Sequence, residues 1–115
     1  VSGANLKPEL ANPELANQER GEAVLVIAGT PRLLRPSFTA LVAAEEELGP
    51  LFALVERASA GQLRLTEMVG LFWHCLADRA AIPRGDVGEA VAALGLAASA
   101  KPLRVLLAQI LQGAG

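Results

Sequence analysis

Residues 21–49, GEAVLVIAGTPRLLRPSFTALVAAEEELG, constrain the fold more than any other stretch, because they pass directly from a strand-like run into a helix. Within Glu22–Ala28, Val24 and Val26 point to one side and Leu25 and Ile27 to the other, so both faces are apolar. A half-exposed strand would alternate with polar residues, so cover on both faces is expected. Gly29-Thr30-Pro31 reads as a turn and Arg32–Arg35 as the returning strand. Two strands alone are marginal in water. The hairpin therefore needs helices packed on it, or strands of another chain beside it.

The rest of the chain supplies helices. Ser37 is the expected N-cap of the first, which carries Phe38, Leu41, Val42 and Leu48 and stops at Gly49. Glu45, Glu46 and Glu47 fall in its last turn, where the helix dipole disfavours negative charge, and read as a solvated acidic patch. Pro50 suits the first turn of a second helix, which runs through Leu51, Leu54 and Val55 to Gly61. Thr66 is the expected cap of a third helix from Glu67 to about Ala80. Val69, Phe72, Trp73 and Leu76 form one apolar face of it, and Met68, Leu71 and Cys75 another. Its polar strip is only Glu67, His74 and Asp78, and a helix so apolar is normally central in a core. Asp86, with Glu89 three residues on, is the expected cap of a fourth helix ending at Gly95. A fifth is expected from near Ser99, with Pro102 in its first turn and Lys101 and Arg104 available to answer the glutamates at 45–47.

The expected fold class is α+β and mainly helical: an N-terminal β-hairpin followed by four or five α-helices. At 115 residues the chain has room for one domain, expected over 20–115. Hydrophobic residues make up 52% and aromatics 3%, so the core must be built from Leu, Val and Ala. Val26, Leu41, Leu54, Val69, Phe72, Leu76, Leu106 and Ile110 are its expected members. Residues 1–19 differ in composition. Pro-Glu-Leu-Ala-Asn occurs twice in tandem, at Pro8–Asn12 and Pro13–Asn17, and prolines five apart forbid a continuous regular helix. A flexible tail is expected there, or alternatively an arm that orders on a neighbouring subunit.

The residues offer no reagent set. His74 and Cys75 are adjacent on a helix, so their side chains diverge by about 100° and cannot form a nucleophile–base pair. There is one histidine and one cysteine, too few for a metal site, a triad or an internal disulfide. The glycines match neither a dinucleotide nor a phosphate loop. No catalytic, cofactor-binding or metal-binding residue is therefore expected, and no cofactor. Ten basic residues face twelve acidic ones without a basic block, which disfavours nucleic acid. Lys101, Arg104, Gln109 and Gln112 are too scattered to read base edges. No apolar run approaches the ~20 residues that span a bilayer, and no leader pattern begins the chain, so a cytoplasmic protein with no membrane partner is expected.

What the pattern does offer is apolar surface. Phe52, Met68, Leu71 and Cys75 are the candidate partner-binding residues, a groove for apolar helices, and the hairpin edge suggests a homo-oligomer.

The ordered series Arg20-Gly21-Glu22, the strand ending near Gly29, Leu34-Arg35, Ala40-Leu41, Glu45 to Leu48-Gly49 and Leu54 to Arg57 resembles the small tail proteins of gene transfer agents and related tailed phages. The resemblance continues through Gly61 and Glu67 to Leu76. It implies work by binding: a tail assembly chaperone that covers the apolar helices of a tape-measure protein until tail tube subunits polymerise around it. The alternative it leaves is a structural subunit of the tail tube or its terminus, associated with the virion. A small DNA-binding regulator is a third reading, disfavoured by charge. The doubled Pro-Glu-Leu-Ala-Asn and the aromatic Phe72-Trp73-His74 depart from the family pattern.

Overall fold

The computed structural model describes residues 22–113. The expectations for the 1–19 tail, its tandem repeat and the domain start at residue 20 therefore lie outside the described residues. Two antiparallel strands, β1 (Ala23–Ile27) and β2 (Thr30–Leu34), come first. Five helices follow: α1 (Phe38–Leu48), α2 (Leu51–Ser59), α3 (Leu65–Cys75), α4 (Arg84–Leu94) and α5 (Leu96–Gln112). The fold is α+β and mainly helical.

The hairpin turn is tighter than the sequence suggests. Ile27 pairs with Thr30, so the loop is Ala28-Gly29 alone, with φ of 52° and 81°. Two successive positive φ angles define the turn whose twist matches paired strands. Thr30 and Pro31, expected in the turn, thus belong to β2. The pair flanking a two-residue loop is hydrogen-bonded, and bonding alternates along the strand. Pro31 consequently turns its nitrogen away from β1, where no donor is needed.

The same alternation turns the backbone of Leu33 and Arg35 outward on β2. The Leu33 carbonyl accepts from the Ala77 N–H at 3.1 Å, and the Arg35 N–H donates to the Cys75 carbonyl at 2.6 Å. Chain leaving α3 thereby covers that edge. On β1 the outward groups are those of Val24 and Val26, and no described residue bonds them.

One face of the hairpin, Ala23, Leu25, Ile27 and Leu34, is buried in the core. The other is only partly covered: Val24 is buried, but Val26 is 42% exposed. Val26 was expected in the core and is not there. It borders a cleft of about 560 Å³ between the hairpin turn and α4.

Several helix ends differ from expectation for local reasons. Ser37 caps α1 as expected, its hydroxyl accepting from the Ala40 N–H at 3.2 Å. The N-cap of α3 is Arg64 and not Thr66, because the Glu67 carboxylate reaches back to the Arg64 N–H at 2.9 Å. That helix stops at Cys75 and does not reach Ala80. Leu76 is extended and bridges to Leu34 of β2, so the sheet takes the backbone that another helical turn would use. In α4, Pro83 precedes the first turn and Asp86 lies within it, so Asp86 is not the cap. α5 begins at Leu96, immediately after Gly95, and runs at a 120° bend to α4. Gly95 sits at φ 93°, a backbone that permits so abrupt a change of direction. Pro102 is consequently inside α5, not in its first turn.

Four expected core residues, Leu54, Phe72, Leu76 and Leu106, are buried. Leu41, Val69 and Ile110 are half-buried and pack against the core from its margin. α3 is the central helix, burying Met68, Gly70, Leu71, Phe72, His74 and Cys75.

Candidate functional site

So small a core cannot absorb every apolar residue this chain carries: Val26, Leu65, Leu94 and Leu96 are exposed singly or on other clefts, and Phe38, Val42, Phe52 and Leu111 are exposed across α1, α2 and the end of α5. α1 has Phe38, Leu41 and Val42 on a single stripe, at the i, i+3, i+4 spacing of one helix face. α2 adds Leu51, Phe52 and Val55, and the last turns of α5 add Ile110 and Leu111. Phe38 is 83% exposed, Phe52 81% and Leu111 55%. Leu41, Leu51, Phe52, Val55, Ile110 and Leu111 enclose a cleft of about 190 Å³. A second cleft of about 550 Å³ shares Leu41 and Ile110 with it and extends to Glu22, Arg35, Pro36 and Gln109. Together they form one trough across α1, α2 and the end of α5. Two phenylalanines left in water beside such a trough mark a contact surface.

The four candidate residues part company here. Phe52 stands on the trough. Leu71 and Cys75 are fully buried, and Met68 is buried with one edge on a separate cleft of about 200 Å³ lined by Leu63, Leu65, Leu96 and Leu103. A groove uniting Met68, Leu71 and Phe52 is not what the monomer presents, because α3 is central and turns the Met68–Leu71–Cys75 face inward. Sequence reasoning placed Phe38, Leu41 and Ile110 on apolar faces without reading them as surface. The available signal was an aromatic directly after the N-cap, on a stripe wider than so small a core needs.

The polar residues of α3 serve the scaffold. The Cys75 thiol is buried, which pushes its pKa up to about 12 and leaves it unreactive as a thiolate. His74 Nε2 lies 2.7 Å from Glu47 Oε1, and Arg84 donates to both oxygens of the same carboxylate, at 2.6 and 2.8 Å. Glu47 is held at about 2, first by the hydrogen bonds from Arg84 and then by the one from His74. The acidic cluster is therefore not a uniform solvated patch. Glu45 accepts from the Leu51 N–H at 3.1 Å, joining α1 to α2, and Glu47 joins α1 to α3 and α4. The cations expected to answer these glutamates, Lys101 and Arg104, do not; Arg84 and His74 do. Trp73 completes the cluster, with its indole N–H donating to the Ile82 carbonyl at 2.9 Å and the Arg84 guanidinium 4.6 Å above its ring.

Fold and surface together define a small helical module with an open apolar trough. Over residues 20–113 the chain matches the family described as phage tail tube protein, GTA-gp10, and it belongs to that family. No curated protein and no solved structure matched. No single helix among the described residues is long and apolar enough to cross a membrane.

Proposed function

We propose that this phage-type tail protein works without catalysis, as an assembly chaperone that covers apolar helices of a tape-measure-like partner in the cytoplasm. The observation that carries the reading is the pair Phe38 and Phe52, 83% and 81% exposed, the first one turn before Leu41 on α1 and the second lining the cleft that Leu41 also lines. An aliphatic trough with an exposed phenylalanine in its lining suits the receptor half of helix-in-groove recognition, in which residues at i, i+3, i+4 and i+7 of the client fill it. The client's own apolar stripe would otherwise face water until tube subunits replace the chaperone. Oligomerisation through the hairpin edge would leave the trough open and let several copies cover a long client.

A second reading, a structural subunit of the tail tube or its terminus, is favoured by the family's description and by the outer edge of β1, which no described residue bonds. Edges of that kind join neighbouring subunits into larger sheets. Only two strands are present among the described residues, which leaves most of the chain to helices and favours the chaperone. Mass analysis of purified particles, alongside pull-down with the co-expressed tape-measure-like protein, separates the two. Capture in the pull-down with absence from particles is the chaperone result. Stoichiometric presence in particles makes the chain a structural subunit.

A further inference from the structure

The two edges of the hairpin are not equivalent. On β2 the chain leaving α3 closes the outer edge, through the Leu33 carbonyl, the Arg35 N–H and the bridge from Leu34 to Leu76. On β1 the outward N–H and C=O groups of Val24 and Val26 have no partner among the described residues. Such a row on an apolar strand is a template for another strand. We infer that its occupant is β1 of a second copy, paired antiparallel about a two-fold axis, with Val24 of each copy opposite Val26 of the other.

Backbone parity selects this register. Outward groups recur at alternate residues, so a two-fold axis at Leu25 pairs both valines at once, and each pair exchanges both of its hydrogen bonds. An axis at Val26 would set Val24 against Ala28, whose φ of 52° removes it from the strand. An axis at Val24 would set the exposed Val26 against Glu22, which lies outside β1. With the axis at Leu25, Val26 gains a β-branched neighbour on its own face, and the core faces of both hairpins stay on one side of a continuous sheet. Charge selects the same direction. Both α4 and α5 pack on β1, and they carry opposite charge at its two ends. At the turn end, α4 places Asp86 and Glu89 in the cleft that Val26 and Gly29 line. At the other end, α5 places Lys101 in the cleft that Val24 lines. These three charges are exposed and have no ion-pair partner among the described residues, whereas Glu22, at the Lys101 end, is matched by Arg35 at 3.8 Å. Antiparallel pairing brings Lys101 of each copy to the acidic end of the other. Parallel pairing would bring like charges together, which is disfavoured. Two five-residue strands make a small contact, so the dimer is reversible. The closed β2 edges stop the pairing at two copies.

The inference deepens the oligomer that accompanies the chaperone reading, but it rests on the β1 edge alone. The test therefore contains no client, and its failure leaves binding at the trough untouched. Sedimentation equilibrium of the full chain, from micromolar to millimolar concentration, should show monomer and dimer and no larger species. Amide exchange over the same range should find Val24 and Val26 unprotected in the dilute monomer and protected in the dimer, with Leu25, bonded to β2, protected throughout. Lys101→Glu and Glu89→Lys, at exposed helix positions, should each weaken the dimer on the order of ten-fold, and both changes in one chain should restore most of the affinity. Val26→Pro removes an outward N–H, keeps the ladder to β2 and should leave a folded monomer. If that variant does not fold, the charge variants carry the test. A chain that is monomeric at millimolar concentration overturns the inference, as does a dimer whose Val24 and Val26 amides stay unprotected. Protection of those amides in the monomer gives the edge to another segment of the same chain and overturns it as well. Charge variants that show no restoration when combined contradict the antiparallel register.

Discussion

The Glu47 carboxylate receives both arms of the Arg84 guanidinium, a bidentate pair that ties the last turn of α1 to the first turn of α4. It lies over Gly70 of α3, where an added Cβ would stand 3.7 Å from Glu47 Oε2 and from Arg84 Nη1 and 3.4 Å from a Leu48 methyl. A Cβ there would make only ordinary van der Waals contact, so the three helices are joined by the ion pair itself together with the His74 contact to Glu47. Exposed pairs contribute little, but bidentate geometry within a small network is the case in which they do contribute.

This pair makes stability depend on acid. Glu47 titrates at about 2 in the fold against 4.5 ordinarily, so its folded value is the depressed one. The stability it contributes is complete above about pH 4.5 and is lost as pH falls toward 2. Glu67, also at about 2 through Arg57 first and the Arg64 N–H second, acts in the same direction. Urea unfolding across this range should show stability declining with acid, and Glu47→Gln should reduce the decline without abolishing it. A decline of equal size in the variant contradicts the assignment to Glu47.

The turn offers a gain. Ala28 is held at φ 52°, a left-handed conformation that costs an L-residue roughly 1–2 kcal/mol. Glycine has no such penalty but loses more freedom on folding, so Ala28→Gly should stabilise by about 0.5–1 kcal/mol. Thermal melts decide the matter, and a lowered midpoint argues against the two-residue turn.

Much of this was legible in the chain. The hairpin, the helix order and the Ser37 cap follow from local chemistry: an apolar run, a glycine, a hydroxyl before a helix. Misread were features set by distant partners. Leu76 ends α3 because Leu34 lies beside it, and Asp86 does not cap α4 because Arg84 already belongs to the helix. The trough failed to emerge because periodicity gives the direction of a face relative to its own helix and not what covers it. Met68, Leu71 and Cys75 look like Phe38 and Leu41 until the helices are assembled.

The distinction between core and trough is measurable. Leu76→Ala should cost on the order of 2–5 kcal/mol, since Leu76 is buried beside β2. Leu71→Glu places a carboxylate in the fully buried interior and should prevent folding. Circular dichroism and urea unfolding report both. A folded Leu71→Glu protein of ordinary stability would put that face of α3 on the surface after all.

Phe38 and Phe52 supply the most direct test of the account. Changing both to Glu alters exposed positions and should leave stability within about half a kilocalorie per mole for each, the usual range for surface sites. The original and doubly substituted chains are co-expressed with the tape-measure-like tail protein, and the amount co-purified is measured after both are shown to be folded. The account predicts that the original chain is retained and that the substituted chain is lost at least ten-fold, about 1.4 kcal/mol or more of binding free energy. Equal retention of the folded double variant contradicts it.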